Sequence, residues 1–477
     1  MARAAAAIVF IVAFAFALAV ALMQVALAAP PPDPDESPYG ICAHIPSDAA
    51  MDRLAAAGVV WLRCDFNWVS MEPHRKGAFD WAETDRLVAS ARARGQRIFA
   101  TLAYTPGWAN GGRHHRFPPN DVRDWTDFVA ACVNRYKGDI QHWGMWNEPN
   151  LSGFFEGSRT DYIDRILKPG AAAAKAADPT CSVLGPELAH LVGGRWDEWL
   201  EDVMRRASDS IDIVSHHMYK GDAPETFLNI DGRPWRGKTV KWILDRYGRG
   251  QELWLTEVGW NTGRVSEAHQ AREYQRLLGG VLERSYLTKV FFYEATDDPS
   301  IPDKWGILRA DLTPKPSYGS YRAFTAANPD AGGSLRFRAV GDLAHLTGRA
   351  AGGGWEAVAG RDGAAHMAYG PYTTAVAPGS RTAVFRLALG GSGPGDERVA
   401  TLDVYDPNAR RTLARRDLSR GDFRSGAPHL FRLSFGAAAG QTLEFRVYWH
   451  GRGTLRLDEV EVRAGRDIKG QRGWFPF

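Results

Sequence analysis

The chain has 477 residues, of which 45% are hydrophobic and 24% are charged, the composition of an ordinary globular protein. This length is sufficient for two domains with a substantial core. The 58 basic and 55 acidic residues leave a net charge of +3 and form no basic stripe, so the charge pattern does not favour a nucleic-acid partner.

The N-terminal segment has the pattern of a secretory signal peptide. An uncharged run at 4–23 follows Arg3, and Ala26-Leu27-Ala28 forms a small-residue cleavage site before a proline-rich stretch. An uncleaved membrane anchor is the alternative, because about 20 apolar residues can span a bilayer. We therefore expect a secreted or extracytoplasmic protein, with a signal peptide at 1–28 and a linker at 29–37. Membrane contact is expected only if the segment stays uncleaved.

Beyond the linker, apolar runs alternate with helical patterns in a regular order. The predicted strands are 39–45, 59–65, 97–103, 140–146, 182–185, 211–217, 252–257 and 289–293. This succession of strand-helix units predicts a catalytic (β/α)8 TIM barrel at 38–330. A doubly wound open sheet is the alternative, but no glycine-rich phosphate loop follows the first strand, so we expect no nucleotide cofactor.

The composition changes after residue 330. Short alternating runs are separated by Gly, Pro, Asn and Asp turns at 382–389, 398–405, 429–435, 442–448 and 454–462. This pattern predicts a C-terminal β-sandwich domain at 335–464, with carbohydrate binding as one candidate role, followed by a tail at 465–477.

Four cysteines lie in the first half of the chain: Cys42, Cys64, Cys132 and Cys181. In an exported protein they allow one or two disulfides, and the sequence does not choose among the pairings. The alternative is that they are small buried hydrophobic side chains. Their spacing does not resemble a zinc site, so we expect no metal and no cofactor.

Polar side chains end two of the predicted barrel strands. Asn147 and Glu148 follow the fourth strand, and Glu257 ends the seventh. A TIM barrel presents the carboxyl ends of its strands at one face, so we expect these side chains to lie together. Two carboxylates are the minimum apparatus for cleaving a glycosidic bond. Consecutive residues of a regular strand face opposite ways, so Asn147 and Glu148 both reach the site only if the strand ends or bulges there.

Each of these groups suits a step of double-displacement glycoside hydrolysis. Glu257 would attack the anomeric carbon, with Arg63 and Tyr219 favouring its ionised form. Glu148 would protonate the leaving oxygen and later deprotonate the attacking water, and the negative charge of Glu257 favours its neutral form beforehand. Asn147 carries an amide suited to the sugar 2-hydroxyl.

Further substrate contacts are predicted at His217, Trp260, Tyr293 and Trp108. Aromatic rings at strand ends are candidates for subsite walls, because sugar faces stack on them. His217 is the second of two consecutive histidines, and the sequence leaves open which ring faces the site. A core histidine satisfied by hydrogen bonds is the alternative for His217.

The two glutamate motifs together resemble those of clan A glycoside hydrolases. Trp-Asn-Glu-Pro-Asn at 146–150 is paired with Thr-Glu-Val-Gly-Trp at 256–260, and Arg63 and the His217-Met-Tyr219 stretch match the clan pattern. In that clan the Glu after Asn on strand four is the acid/base of a retaining mechanism, and the Glu on strand seven is the nucleophile. The resemblance therefore implies that Glu148 is the acid/base and Glu257 the nucleophile.

Within the clan, the chain looks most like family 39. This likeness rests on Leu151, Phe154-Phe155 and Gly157 after the first motif, and on the appended sandwich. The family includes β-xylosidases, α-L-iduronidases and bacterial glycosidases acting on exopolysaccharides. The resemblance implies a glycosidase with an oligo- or polysaccharide substrate.

Two other functions are compatible with the same residues. One is a catalytically inactive barrel that binds glycan through aromatic rings. The other is a transglycosylase, in which a sugar hydroxyl instead of water takes the covalent intermediate. Neither the sugar and its linkage nor exo or endo action follows from the motifs.

Overall fold

The computed structural model describes residues 34–219, 221–329, 331–391, 393–424 and 426–469. The predicted signal peptide, most of the linker and the end of the predicted tail lie outside the described residues. Among the helices that the structure does describe, none combines the length and the apolar character needed to span a bilayer.

Eight parallel strands close into a barrel in chain order, and β1 pairs with both β2 and β8. They are β1 Tyr39–Cys42, β2 Trp61–Asn67, β3 Arg97–Ala103, β4 His142–Met145, β5 Ser182–Leu188, β6 Ile213–His217, β7 Leu253–Val258 and β8 Leu287–Tyr293. Each overlaps its predicted position, so the predicted TIM barrel is confirmed.

Amphipathic helices alternate with the strands. The α-helices are Asp48–Ala56, Trp68–Met71, Ala82–Ala93, Gly107–Asn110, Val122–Tyr136, Arg159–Asp161, Lys168–Ala177, Trp196–Ala207, Ala223–Ile230, Val240–Tyr247, Glu267–Leu282 and Pro316–Ala327. Ser47 and Ser266 cap two of them by accepting hydrogen bonds from the backbone N–H of the third residue along. Helix Val122–Tyr136 buries side chains three and four residues apart, which is the stripe that a helix needs to pack on a barrel.

An aromatic layer fills the barrel interior. Ring centroids of Trp61 and Trp254 lie 5.2 Å apart, those of Phe99 and Trp254 5.9 Å, and those of Trp254 and Phe291 5.7 Å. The guanidinium carbon of Arg63 lies 5.9 Å from the Phe99 ring centroid, two residues further along β2 than Trp61. The rings therefore form an apolar floor beneath the charged groups at the strand ends.

Close packing of this layer requires a glycine in β1. A Cβ at Gly40 would lie 2.7 Å from the ring of Phe291, which is fully buried. We expect Gly40→Ala to reduce the free energy of unfolding by about 1–3 kcal/mol, the usual effect of overpacking. Thermal and urea unfolding measure this loss. Gly436→Ala is the matched control, since nothing lies within 4 Å of a Cβ there. Equal midpoints for the two variants would contradict tight packing at Gly40.

The C-terminal part of the chain forms two antiparallel sheets. Its strands are β9 Leu335–Arg338, β10 Arg349–Ala351, β11 Gly354–Val358, β12 Ala365–Ala368, β13 Pro371–Thr373, β14 Gly379–Gly390, β15 Arg398–Asp406, β16 Arg411–Ser419, β17 His429–Ala437, β18 Leu443–Trp449 and β19 Thr454–Ala464. One sheet has the order β10-β11-β19-β14-β17, with β9 beside β19, and the other has the order β12-β18-β15-β16, with β13 beside β18. Their apolar faces share one core, so the predicted β-sandwich is confirmed.

The sequence did not predict several edge strands of this sandwich. Strand β16 carries Arg411, Arg415 and Arg416, and most of its residues are exposed or half-buried. Edge strands are often charged and lack a buried face, so they show no apolar alternation. The five strands that were predicted each bury side chains in the shared core.

The sandwich contacts the end of the barrel opposite to the strand carboxyl ends. Arg463 of β19 donates hydrogen bonds to Glu252, just before β7, and to Glu461, each over 2.7 Å. Arg249, in the same region, donates to the carbonyl of Pro428 over 2.7 Å. These contacts with the sandwich therefore lie away from the face that carries Glu148 and Glu257.

All four cysteines are buried and free, at Cys42, Cys64, Cys132 and Cys181. The disulfides that the exported context allowed do not form between them, so the interpretation as small buried hydrophobic side chains holds. Burial raises the pKa of the Cys42 and Cys64 thiols, which keeps them protonated.

Candidate active site

Strand β4 ends before the first glutamate motif. Its last residue is Met145, and Trp146 and Glu148 then have φ values of 81° and 43°. The left-handed backbone turns the chain away from the ladder, and the Glu148 N–H donates to the Glu187 carbonyl over 3.0 Å. Asn147 and Glu148 both contact barrel-interior side chains, which meets the condition that the strand must end there.

Left-handed backbone recurs around this face. His44, Tyr104 and Glu187 have φ values of 54°, 67° and 55°, at or just after the ends of β1, β3 and β5. Such conformations are uncommon for residues other than glycine and cluster at functional sites. The strained residues therefore mark the same end of the barrel as the two motifs.

Glu257 is held by one cation and one hydroxyl. Arg63 Nη1 donates to its Oε1 over 2.8 Å, and the Tyr219 hydroxyl donates to its Oε2 over 2.6 Å. Burial and the nearby charge of Glu257 raise the pKa of Tyr219, so this hydroxyl keeps its proton. Both predicted partners of Glu257 are in place, and together they stabilise negative charge on it.

His217 lies at the centre of the site, and its ring is fully buried. Its Nδ1 is 2.9 Å from Glu148 Oε1 and 3.6 Å from Glu257 Oε2, while its Nε2 is 3.1 Å from Glu187 Oε2. His216 faces away, with Nε2 2.9 Å from His190 Nδ1. Of the two consecutive histidines, His217 therefore faces the site.

Three carboxyl groups surround the imidazole of His217. Burial disfavours its protonated form, but the charge of Glu257 and the hydrogen bonds to Glu148 and Glu187 outweigh burial and raise the pKa of His217 to about 9. The ordinary value is about 6.5. Stability from this proton is therefore fully present below about pH 6.5 and is lost as the pH rises through about 9.

Glu187 belongs to this site although the sequence did not indicate it. Its side chain is fully buried, and Oε2 accepts hydrogen bonds from Arg63 Nη2 over 3.0 Å and from His217 Nε2. Burial would raise the pKa of Glu187, but the charge of Arg63 and the bond from His217 lower it overall. The fifth strand was predicted to end before Pro186. An irregularity of the β5–β6 ladder between Pro186 and Leu188 lets Glu187 leave the regular alternation.

A second charged cluster borders the site at the ends of β1, β2 and β8. His44 Nδ1 lies 2.9 Å from Asp65 Oδ2, and its Nε2 lies 3.2 Å from Glu294 Oε2. Burial opposes the protonation of His44, but these two hydrogen bonds raise its pKa to about 10. A cavity of about 320 Å³ is lined by His44, Glu294, Ser47 and their apolar neighbours. The cavity therefore lies next to the His44 cluster, and neither Glu148 nor Glu257 lines it.

The aromatic side chains predicted to stack on sugar, Tyr293, Trp108 and Trp260, lie in different environments. Tyr293 lies at the site, with ring centroid distances of 5.6 Å to His44 and 6.1 Å to Tyr219. Trp108 donates its indole N–H to the Glu72 carbonyl, and Trp260 donates to the Gly221 carbonyl. The structure does not bring these two indoles into the hydrogen-bond network of the glutamates. Their contact with sugar stays a prediction.

In the part of the chain that the structure describes, two groups of side chains have ligand atoms close enough to hold a metal ion. In each group the atoms lie within 4.8 Å of one another, in Glu148, His217 and Glu257 and in Asp222, His269 and Glu273. In the first group Arg63 and Tyr219 already bond both oxygens of Glu257, and in the second Arg272 and Arg276 bond Glu273. In both groups, arginine side chains of the protein already balance the charge of a carboxylate. The expectation of a site without metal stays a prediction.

Residues 54–232 match the family described as glycosyl hydrolases family 39. A β-xylosidase of Geobacillus stearothermophilus is 27% identical over 300 residues, which cover 54% of this chain and 58% of the relative. A β-xylosidase of Caldicellulosiruptor saccharolyticus is 22% identical over 299 residues, which cover 56% and 61%. The chain therefore spans about three fifths of the length of the curated relatives that it matches.

Solved structures share the fold. A family 39 glycoside hydrolase from Bacteroides cellulosilyticus WH2 has a TM-score of 0.51 at 18% identity, covering 88% of this chain and 83% of that structure. The family 39 enzyme from Xanthomonas axonopodis pv. citri has a TM-score of 0.50 at 18% identity, covering 88% and 95%. With the sequence matches, these findings confirm the resemblance that the two glutamate motifs indicated.

Proposed function

We propose that this chain, which is similar to family 39 of the clan A glycoside hydrolases, hydrolyses O-glycosidic bonds of an oligo- or polysaccharide with retention of configuration. One observation carries the proposal: an oxygen of Glu148 and an oxygen of Glu257 lie within 4.8 Å of each other. Retaining glycosidases hold their two carboxyl groups about 5–5.5 Å apart, whereas inverting ones leave about 6.5–9.5 Å for a water. The short separation supports retention.

In the first step an oxygen of Glu257 forms a bond to the anomeric carbon, and the bond from that carbon to the leaving oxygen breaks. Glu148 gives its proton to the leaving oxygen, so the departing group leaves as a neutral alcohol. Arg63 and Tyr219 fix the attacking carboxylate through 2.8 Å and 2.6 Å hydrogen bonds. The product of this step is a glycosyl ester of Glu257 and an ionised Glu148.

In the second step Glu148 takes a proton from water as the water oxygen bonds to the anomeric carbon. The ester bond to Glu257 breaks, and its electron pair restores the carboxylate. Two displacements at one carbon return the original configuration. Both glutamates end the cycle in their starting protonation states.

In this mechanism Asn147 binds the sugar 2-hydroxyl. Its Oδ1 accepts a hydrogen bond from Arg63 Nη2 over 2.8 Å, which fixes the orientation of the amide. The amide nitrogen is then the group left to donate, and its contact with the Tyr104 hydroxyl is long at 3.4 Å. A hydrogen bond to the 2-hydroxyl strengthens toward the oxocarbenium-like transition state.

β-Xylosides are the first substrates to test, because two relatives are named β-xylosidases. We also propose that the protein acts outside the cytoplasm, on the basis of the signal-peptide pattern at 1–28. An extracytoplasmic glycosidase meets polysaccharide at cell surfaces and in matrices, which agrees with the proposed substrate class.

The test is covalent labelling with 2-deoxy-2-fluoro glycosyl fluorides, beginning with the xylosyl compound. Fluorine at C2 slows both steps, whereas the fluoride leaving group restores the first, so the glycosyl-enzyme accumulates. We expect intact-protein mass spectrometry to show one added glycosyl unit and peptide mapping to place it on Glu257. Glu257→Gln is the control and is expected to stay unlabelled. A label on another residue, or hydrolysis that yields inverted product, would contradict the proposal.

Recovery of the labelled protein separates hydrolysis from sugar transfer. We expect water alone to release the label and restore activity. Release only after addition of an acceptor sugar would favour the transglycosylase. If no fluorosugar of a broad panel labels the protein, glycan binding by the wild-type protein without turnover would favour the inactive binding barrel.

A further inference from the structure

Glu187 has no role in the two steps described above, yet it contacts Arg63, which holds Glu257, and His217, which lies beside both reacting glutamates. We propose that Glu187 is a positioning residue that keeps His217 as an imidazolium protonated on both nitrogens, so that His217 donates a hydrogen bond to whichever reacting glutamate is negatively charged. This inference rests on the proposed function, because it assigns Glu148 and Glu257 to the two displacements.

Both ring nitrogens of His217 face carboxyl groups. Nε2 lies 3.1 Å from Glu187 Oε2, and Nδ1 lies 2.9 Å from Glu148 Oε1. An ionised Glu187 can only accept hydrogen bonds, so Nε2 donates to it, and Nδ1 donates to Glu257 or Glu148 whenever that carboxyl group is ionised. A fully buried carboxylate such as Glu187 is tolerated only when its charge is compensated. Arg63 and His217 supply that compensation at 3.0 Å and 3.1 Å.

The charges of the site balance at each stage of the proposed catalytic cycle. The carboxyl groups of Glu148, Glu187 and Glu257 face two cations, Arg63 and His217. The site is neutral when one carboxyl group is uncharged. Before the first displacement that group is Glu148, which carries the acid proton. In the glycosyl-enzyme it is Glu257, now an ester, and Glu148 is the anion.

One N–H of His217 can therefore serve both halves of the reaction. Nδ1 lies 2.9 Å from Glu148 and 3.6 Å from Glu257, so a small displacement shortens either contact. The negative charge moves from Glu257 to Glu148 while the imidazolium and Glu187 keep their charges. Glu187 holds the opposite ring nitrogen, which prevents the ring from turning away.

All charged groups around His217 bear on its protonation. Glu148, Glu187 and Glu257 favour the imidazolium, whereas Arg63, bonded to Glu187 and Glu257, opposes it. The remaining titratable neighbours are uncharged. His216 is neutral because burial lowers its pKa, and burial and nearby anions keep the Tyr219 hydroxyl protonated. Removing the charge of Glu187 thus removes one of three favourable contacts, and burial then drives His217 toward its neutral form.

Glu187→Gln tests this directly, because glutamine keeps the size of the side chain and loses its charge. Protein labelled with ¹⁵N-histidine is titrated by NMR, and the His217 signals are assigned from their loss in His217→Asn. In wild type we expect both ring nitrogens of His217 to be protonated at pH 7. In Glu187→Gln we expect its pKa to fall by roughly one to three units, the effect of losing an opposite charge at this distance.

Asp297→Asn is the control for loss of any buried carboxylate. Asp297 is buried and pairs with Lys315 over 2.8 Å, and we expect the His217 titration to be unchanged in this variant. A neutral His217 in wild type at pH 7 would overturn the proposal, even if Glu187→Gln does not fold. An unchanged titration in folded Glu187→Gln would overturn it as well.

Activity gives a second readout that a purely structural role would not move. On any substrate that is turned over, the alkaline limb of kcat/KM reports loss of the acid proton of Glu148. We expect this limb to move in Glu187→Gln, because the charge on His217 beside Glu148 changes, and to return toward wild type in Glu187→Asp. Equal limbs in all three proteins would contradict the proposal. The NMR titration needs no turnover, so the protonation of His217 and the proposed function can fail separately.

Discussion

Glu257→Ala is expected to lower kcat/KM by at least about 10⁴-fold, the scale of loss when a covalent nucleophile is removed. The carboxylate is the only group that we assign to attack at the anomeric carbon. Arg63 would remain in place through its bonds to Asn147 and Glu187, and Tyr219 through its ring contacts with Tyr293 and Trp305. The measurement is initial-rate kinetics on the aryl glycoside that corresponds to the labelling sugar.

The effect of azide on Glu257→Ala tests whether Glu257 is the nucleophile. Alanine leaves a space beside the anomeric carbon that azide can enter, and we expect azide to restore turnover with a single displacement. The product is then a glycosyl azide of inverted configuration, which NMR identifies. Glu273→Gln is the matched control, because Glu273 is fully buried on helix Glu267–Leu282 and takes no part in the site. A similar loss in both variants would indicate a folding defect instead of chemistry.

Glu148→Ala is expected to reduce kcat/KM by about 10²- to 10⁴-fold on substrates with poor leaving groups, the usual contribution of general acid catalysis. The reduction is expected to be far smaller for a dinitrophenyl glycoside, because that leaving group departs without a proton. The measurement is kcat/KM across a series of aryl glycosides whose phenols differ in acidity. Equal losses along the series would contradict the assignment of Glu148 as the acid.

Azide distinguishes Glu148 from Glu257 in a second way. Without Glu148 the glycosyl ester on Glu257 still forms, but water attacks it slowly because no base assists. We expect azide to accelerate this step, since an anion needs no base, and to give a glycosyl azide of retained configuration. Opposite configurations from the two alanine variants would establish which glutamate bonds to the sugar. Inverted product from both would overturn the proposed roles.

The locations of the barrel strands were predictable because the signals are local. Alternating apolar runs and helical periods repeat along the chain, and each predicted strand overlaps an observed one. The two glutamates were found in the same way, since a charged residue directly after a buried run marks the end of a strand. The edge strand β16 was missed because its charged residues give no such signal.

The network around the glutamates depended on contacts that no local pattern contains. Glu187 enters the site through an irregularity of the β5–β6 ladder, and His217 rather than His216 faces inward in a ladder that also shifts at that point. Register between strands is set by closure of the whole barrel. A one-residue difference in register reverses the side to which a residue points.

Sequence alone therefore determined the fold class, the location of the two glutamates at strand ends and their resemblance to clan A. Hydrophobic periodicity and strand-end motifs are local features that depend only on neighbouring residues. Only the tertiary structure decided that Arg63 also bonds Asn147 and Glu187, that the sandwich contacts the opposite end of the barrel, and that Trp108 and Trp260 bond to backbone carbonyls. The physical reason is that these contacts join residues distant in sequence. Their geometry exists only after the strands have paired and the barrel has closed.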